Sequence, residues 1–268
     1  DVLVTTAAGV LDAWSSTGRA LGGFPISIGA PVGPPAVGDV DGDGVNDIVV
    51  NSRDRAWCYR GDGALHVGWP VELPSRPVGA TPLSPGAALH GAPVGPPSGP
   101  VLVSLDAEPG LNVIVAPTGG RLVRIDPAGL VSELSATDRL AFGARADARR
   151  TGDPVFVSTG QLAVADLDRD GSPDAVHPAA TLAFLTGPEP GDADQIETLI
   201  GGWSLASGAF VDGFPTQAHD RIVSGMSIVD LDGDRRPEII FGDGQFRLHA
   251  WSSAGVSPHG WPKLTGGL

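Results

Sequence analysis

Three nine-residue acidic runs stand out in this 268-residue chain: Asp39-Val-Asp41-Gly-Asp43-Gly-Val45-Asn-Asp47, Asp166-Leu-Asp168-Arg-Asp170-Gly-Ser172-Pro-Asp174 and Asp230-Leu-Asp232-Gly-Asp234-Arg-Arg236-Pro-Glu238. Each has carboxylates at positions 1, 3, 5 and 9. Alternating acids on a short loop point every second side chain inward, which is how a chain meets calcium's demand for six to eight oxygen ligands at about 2.3–2.6 Å. The backbone carbonyl of position 7 (Val45, Ser172, Arg236) offers a further ligand. Gly44 and Gly171 at position 6 permit the sharp turn around the ion. Without metal, two carboxylates about 5 Å apart repel by roughly 1–3 kcal/mol. A solvated acidic turn would explain one such run; three in the same register point to about three calcium sites. In the third copy Arg235 replaces the position-6 glycine and must accept a strained turn conformation, and Glu238 is longer than Asp.

An EF-hand fails at position 12, where it needs a bidentate Glu and this chain has Val50, His177 and Phe241. Apolar β-branched runs follow position 9 instead, as in Asp47-Ile-Val-Val and Glu238-Ile-Ile-Phe, so the loop joins two strands.

Asp39 and Asp166 are 127 residues apart, Asp166 and Asp230 only 64. The longer interval holds an eroded copy near its midpoint, Ser104-Leu-Asp106-Ala-Glu108-Pro-Gly-Leu-Asn112, followed by Val-Ile-Val. A second signature shares the period: an aromatic strand residue, then Gly-aromatic-Pro. It runs from Trp14 to Gly23-Phe24-Pro25, Trp57 to Gly68-Trp69-Pro70, Trp203 to Gly213-Phe214-Pro215 and Trp251 to Gly260-Trp261-Pro262, while Ile125 stands near the expected Trp in the eroded copy. Fixed-period self-similarity marks a repeat architecture, and about four strands per unit makes each repeat a propeller blade. In the best-preserved repeat the strands are expected at Pro35-Ala-Val-Gly, Asp47 to Asn51, Arg55 to Tyr59 and His66-Val-Gly-Trp-Pro-Val.

The acidic loops, with Ala-Val-Gly before, Ile-Val-Val after, and Ala-Trp and Gly-Trp-Pro downstream, resemble the FG-GAP (VCBS-type) repeat family, whose relatives build the propeller of integrin alpha subunits and of many secreted bacterial surface proteins. The resemblance spans nearly the whole chain. It implies calcium on Asp39, Asp41, Asp43 and Asp47, on Asp166, Asp168, Asp170 and Asp174, and on Asp230, Asp232 and Asp234 with Glu238; no site is carried to 104–112.

The expected fold is therefore all-β, a propeller of four-stranded antiparallel blades with repeats of about 64 residues. Residues 1–268 form one domain or part of one: a partial blade at 1–30, then blades at 31–75, 95–135, 155–216 and 221–265. Two segments depart from the pattern, an exposed insert from Thr186 to Ile200 and a weak helix at Glu133 to Phe142. Gly 39 and Pro 25 together approach a quarter of the residues and are read as turns. A start at Asp1 without Met reads as a processed product or an excerpt of something longer.

Twelve of the 31 acids lie in the three loops, so three bound divalent ions would bring the net charge from −14 to about −8. That charge argues against nucleic acid or an anionic membrane as partner, and no run of eighteen apolar residues points to a membrane span. Arg145, Arg149 and Arg150 form a solvated loop or a small basic patch. Cys58, the only cysteine, is expected to be a small buried strand residue. No nucleophile elbow, zinc-protease signature, phosphate loop or Cys/His metal cluster is read from the sequence, and the six histidines (His66, His90, His177, His219, His249, His259) are scattered. A non-enzymatic, extracellular or cell-surface calcium module for adhesion or protein interaction is the leading expectation. The alternatives are a glycan-binding propeller, with the repeated Trp residues as stacking platforms instead of inter-blade core, or the propeller part of a secreted hydrolase or polysaccharide lyase. Oligomeric state is not set by the sequence.

Overall fold

The computed structural model describes residues 1–74, 98–105, 109–117, 122–135, 155–158, 161–183, 195–214, 216–218, 222 and 224–252. Among them no helix occurs; every element is a strand, and every sheet is antiparallel. These residues fall into two compact units, 1–74 with 98–135, and 155–252.

In the first unit, β1 (Val2–Thr5), β2 (Val10–Trp14) and β3 (Ile26–Ser27) form one sheet. The second contains β4 (Ala36–Gly38), β5 (Asp47–Asn51), β6 (Arg55–Tyr59) and β7 (Val71–Glu72), and the third β8 (Val101–Val103), β9 (Asn112–Val115), β10 (Leu122–Ile125) and β11 (Val131–Ser135). In the second unit, β12 (Val155–Ser158), β14 (Asp174–Ala183), β15 (Gln195–Ser204) and β16 (Thr216–Ala218) lie in that order, with β13 (Ala163–Ala165) also on β14. The last sheet is β17 (Ser227–Val229), β18 (Glu238–Gly242) and β19 (Leu248–Ser252). Except for β12, every strand pairs with a neighbour in sequence, so the sheets are largely local meanders. Gly18, Gly63 and Gly129 occupy the same kind of turn in three of the sheets with φ of 78°, 84° and 85°, and Gly208 (70°) closes a turn one residue longer in a fourth, all in a left-handed backbone that glycine adopts without steric cost.

Period-two alternation sends each strand's side chains to two faces, and the middle sheet of the first unit buries both. Ile48, Val50, Trp57 and Tyr59 pack with Leu11 of the first sheet, while Val49, Ala56 and Cys58 pack with Val113, Val115, Val123 and Ile125 of the third. In the second unit Val176, Ile200, Val211 and Phe214 meet Ile239, Phe241 and Trp251.

Several expectations are corrected by the ladders. The repeated aromatic of the second sheet is Tyr59, not Trp57: Trp14, Tyr59, Trp203 and Trp251 lie opposite Val2, Ile48, Ala175 and Ile239, the equivalent strand residue in each sheet. Ile125, opposite Val113, does hold that position in the eroded repeat. The Gly-aromatic-Pro motif does not lie within the fourth strand. It is the turn that enters it, carrying cis peptides at Phe24-Pro25 and Trp69-Pro70, and the strand pairing resumes only at Ile26 and Val71. Part of the anticipated insert, residues 195–200, belongs to the ten-residue strand β15, and residues 133–135 of the anticipated helix belong to β11, because β14 offers the first a partner ladder and β10 the second. Residues 186–194 and 136–142 lie outside the described residues, as do Arg145, Arg149 and Arg150. Pro178 sits within β14 because β13 pairs only as far as Val176 and β12 begins at Ala179, leaving a gap where a residue without N–H fits.

Gly23 shows how the motif glycines act. With φ +86°, it brings its backbone against the turn after β6, where a Cβ would lie 1.9 Å from the Asp62 carbonyl oxygen. Gly29 has a similar φ, +77°, with open space around it. Gly29→Ala is expected to cost about 1–2 kcal/mol for the left-handed backbone alone. Gly23→Ala should cost about 2–4 kcal/mol because overpacking is added. Urea unfolding of the two variants checks the difference.

Candidate metal centres

All three acidic loops fold to one wiring diagram. Position 9 begins a strand (Asp47 of β5, Asp174 of β14, Glu238 of β18), is 2%, 0% and 3% exposed, and accepts a hydrogen bond from the N–H of position 2: Val40 at 3.0 Å, Leu167 at 2.8 Å and Leu231 at 2.8 Å. Position 1 accepts from the N–H of position 6: Gly44 to Asp39 Oδ2 at 2.9 Å, Gly171 to Asp166 Oδ2 at 3.0 Å and Arg235 to Asp230 Oδ2 at 2.9 Å. Position 3 accepts from position 5, through Asp41, Asp168 and Asp232 at 3.2, 3.1 and 3.0 Å. Position 5 accepts from position 7, so the N–H groups of Val45, Ser172 and Arg236 each lie 2.7 Å from Asp43, Asp170 and Asp234. The extra methylene of Glu238 does not disturb the pattern.

This wiring converges the carboxylates of positions 1, 3 and 5. In each loop an oxygen from Asp39, Asp41 and Asp43, from Asp166, Asp168 and Asp170, or from Asp230, Asp232 and Asp234 lies within 4.8 Å of the other two. The position-9 carboxylate is not part of that trio; it lies buried at the base of the loop. Oδ1 of Asp166 and Oδ1 of Asp174 are buried with no hydrogen-bond partner. An orphaned buried acceptor costs about 1–3 kcal/mol, more when charged, and a cation held by the loop removes that cost. The donors are all oxygen, which suits a hard divalent ion.

The backbone also repeats beyond what the glycines reveal. Positions 4 and 6 are left-handed in every loop: Gly42 at 77° and Gly44 at 86°, Arg169 at 67° and Gly171 at 88°, Gly233 at 81° and Arg235 at 68°. Arg235 accepts the conformation expected of it, and Arg169 does the same at a position the sequence reading left unexamined.

Burial pushes the Asp174 carboxyl up to about 6, the charges of Asp168 and Asp170 adding to it against the N–H groups of Leu167 and Asp168. Burial likewise lowers His177 to about 4, and neither of its ring nitrogens has a hydrogen-bond partner, so it is a neutral core imidazole at neutral pH. In the turn after β18, burial pushes Asp243 up, but His249, Arg247 and the N–H of Gln245 outweigh it and hold that carboxyl well below the usual range.

The eroded repeat keeps the architecture with another charge. Asn112 starts β9 as position 9 does elsewhere, and its Oδ1 accepts a 2.7 Å bond from Arg124 Nε on β10. Asp106 and Glu108 lie outside the described residues.

A further group was missed from sequence. Cys58 on β6, Asp47 on β5 and His66, all buried, bring one ligand atom each within 4.8 Å of one another. His66 Nε2 lies 2.6 Å from Asp47 Oδ1 and its Nδ1 3.7 Å from Asp41 Oδ2. Burial, then the charges of Asp47 and Asp41, pushes the Cys58 thiol up to about 12. The expectation of a small buried strand cysteine holds; its neighbours required the strand register to find.

Most of the described tryptophans do not offer stacking platforms; Trp14 on β2 is half-buried, and Trp261 lies outside the described residues. Trp57, Trp69, Trp203 and Trp251 are buried, Trp203 only 1% exposed and stacked on Phe210 with ring centroids 5.5 Å apart.

No family model matches the chain, and no curated protein matches it. Among solved structures it is similar to BBS1N in complex with ARL6DN, with a TM-score of 0.40 and 11% identity over 96% of this chain and 76% of that one. It is also similar to a Bacillus licheniformis rhamnogalacturonan lyase (0.43, 16%, 94% and 49%) and to a thermostable family-43 glycoside hydrolase (0.37, 10%, 89% and 73%). At TM-scores this low the likenesses fix neither fold nor activity.

Two outcomes are expected. Arg169→Gly and Arg235→Gly should each stabilise the protein by about 1 kcal/mol by relieving a left-handed non-glycine residue, read from chemical unfolding in chelator. A proton on Asp174 excludes a cation, so affinity at the 166–174 loop is retained above about pH 6 and lost as the pH falls through that value; metal titrations of the loop at pH 7.5 and 5 check the sign.

Proposed function

We propose that the chain is a calcium-braced repeat module whose sheets are propeller blades of the FG-GAP/VCBS type, serving adhesion or protein interaction outside the cell. The observation that carries calcium is the repeated wiring: three loops, unlike in their glycines, hold positions 1, 3 and 5 within 4.8 Å of one another over a buried position-9 carboxylate, and one loop leaves two acceptor oxygens orphaned. Asp39, Asp41, Asp43 and Asp47, their counterparts from Asp166 to Asp174, and Asp230, Asp232, Asp234 and Glu238 supply the carboxylates, with the carbonyls of Val45, Ser172 and Arg236 completing the shell.

Calcium here is structural. Each loop joins two antiparallel neighbours, β4 to β5, β13 to β14 and β17 to β18, so neutralising it stabilises the hairpin on which the following strand is laid. The local meanders, the shared aromatic position and the glycine turns that recur even in the eroded repeat support the blade reading. Extracellular modules bind calcium at about 10⁻⁴–10⁻³ M, a range matched to fluids outside the cell. The partner is a protein or a glycan at the surface; the buried tryptophans weaken the stacking argument for a glycan. The chain is non-catalytic in this reading.

Calorimetric titration of calcium into chelator-stripped protein is expected to show about three ions and a rise in melting temperature. Asp41→Asn with Asp43→Asn should remove one ion and part of the calcium-dependent rise. Absence of binding, or a melting curve indifferent to calcium, overturns the proposal.

A further inference from the structure

The Asp47, Cys58 and His66 group differs in kind from the acidic loops. It presents one oxygen, one sulfur and one nitrogen, buried together on the face where Val49 and Cys58 meet the third sheet. Period-two alternation explains the meeting: Asp47 and Val49 point to one side of β5, Cys58 is the ladder partner of Val49, and the His66 N–H is bonded to the Cys58 carbonyl at 2.9 Å.

We propose that this group is a second site, sharing Asp47 with the first acidic loop, for a thiophilic divalent cation of the zinc class: Asp47 turns Oδ1 toward His66 while its Oδ2 accepts the Val40 N–H of the loop, and Asp47, Cys58 and His66 are the ligands. Sulfur and imidazole donors suit zinc and its first-row neighbours and are poor ligands for calcium or magnesium. Tetrahedral zinc places N, O and S ligands at about 2.0–2.3 Å, hence about 3.3–3.6 Å from one another. The present atoms bracket that spacing: the three lie within 4.8 Å, and the His66 to Asp47 contact is 2.6 Å. The shared proton between Nε2 and Oδ1 stands where the ion would enter, and side-chain rotation alone must open that pair and draw Sγ inward. Binding releases the thiol proton to solvent and moves the ring proton from Nε2 to Nδ1, leaving thiolate and neutral imidazole as ligands. Nδ1 lies 3.7 Å from Asp41 Oδ2, longer than a hydrogen bond but on the side from which a carboxylate orients a ligating histidine. Three protein ligands leave the fourth position for a water.

The other repeats lack the set. Ladder equivalents of Cys58 are Ala13, Arg124, Gly202 and Ala250, and no other mixed Cys/His/Asp group occurs among the described residues.

The test is cobalt(II), a coloured stand-in for zinc, added to protein held in millimolar calcium so that the hard sites are occupied. One cobalt per chain is expected, with the visible bands of a tetrahedral ion and a near-ultraviolet thiolate-to-cobalt band, both abolished by an equivalent of zinc. Cys58→Ala should abolish the thiolate band, and His66→Gln should weaken cobalt binding at least tenfold, while Asp62→Asn, at an exposed acid outside every proposed site, leaves both unchanged. Circular dichroism confirms that each variant is folded; should Cys58→Ala fail to fold, the thiolate band of the wild type and its weakening in His66→Gln still decide. No thiolate band in the wild type, or a band that survives in folded Cys58→Ala, overturns the site. The signal arises from sulfur, which the acidic loops lack, so failure of the calcium reading appears separately as a flat calcium titration.

Discussion

The hydrogen bond from the position-2 N–H to the position-9 carboxylate organises each intact repeat. It spans seven residues, closes the acidic loop, and does so at the first residue of a strand, so loop geometry and ladder register are fixed by one contact. Everything chemically interesting lies within a few residues of it: the converging acids above, the apolar strand below, and in one sheet the Cys58 and His66 pocket beside it. The eroded repeat supports the point by substitution, since Asn112 occupies the same strand start and takes a guanidinium bond from Arg124.

Burial of that carboxylate sets a tension between folding and charge. A buried anion is unfavourable unless paired or bonded, and the three sheets resolve it differently. Asp174 is pushed toward protonation with one oxygen orphaned. Asp47 is engaged by His66. Glu238 uses its longer side chain to make the same bond, from a buried strand start to the exposed Leu231. Identical architecture thus yields three electrostatic environments, which is why one sequence motif does not imply three equal sites.

Legibility from the sequence followed the range of the interactions. Strands with β-branched runs after position 9, such as Asp47 to Asn51, were readable residue by residue because alternation and turn glycines are local signals. The equivalence of Ile125 with the aromatics was readable from the period. Trp57 misled, since a tryptophan two residues from Tyr59 on the same face mimics the repeat and only the ladder with Ile48 separates them. The Gly-aromatic-Pro segment read as a strand because His66-Val-Gly-Trp-Pro-Val alternates with period two, whereas its glycine and proline make a turn. The Cys58 pocket depends on cross-strand register and on a turn that returns His66 beneath β5, information that spacing alone does not carry. Arg169 was overlooked because a left-handed position was sought only where a neighbouring copy has glycine at position 6.

The arginines at the left-handed positions have an effect beyond strain. Counting the nine residues alone, the first loop carries a formal charge of −4, the second −3 with Arg169, and the third −2 with Arg235 and Arg236. Ion affinity in such loops is tuned by the charge count. On the proposed calcium reading, a chain built from nominally equal repeats would present a staircase of set points, filling from the amino-terminal loop onward, and would stiffen in increments across a span of ionic conditions where identical loops would switch at a single threshold.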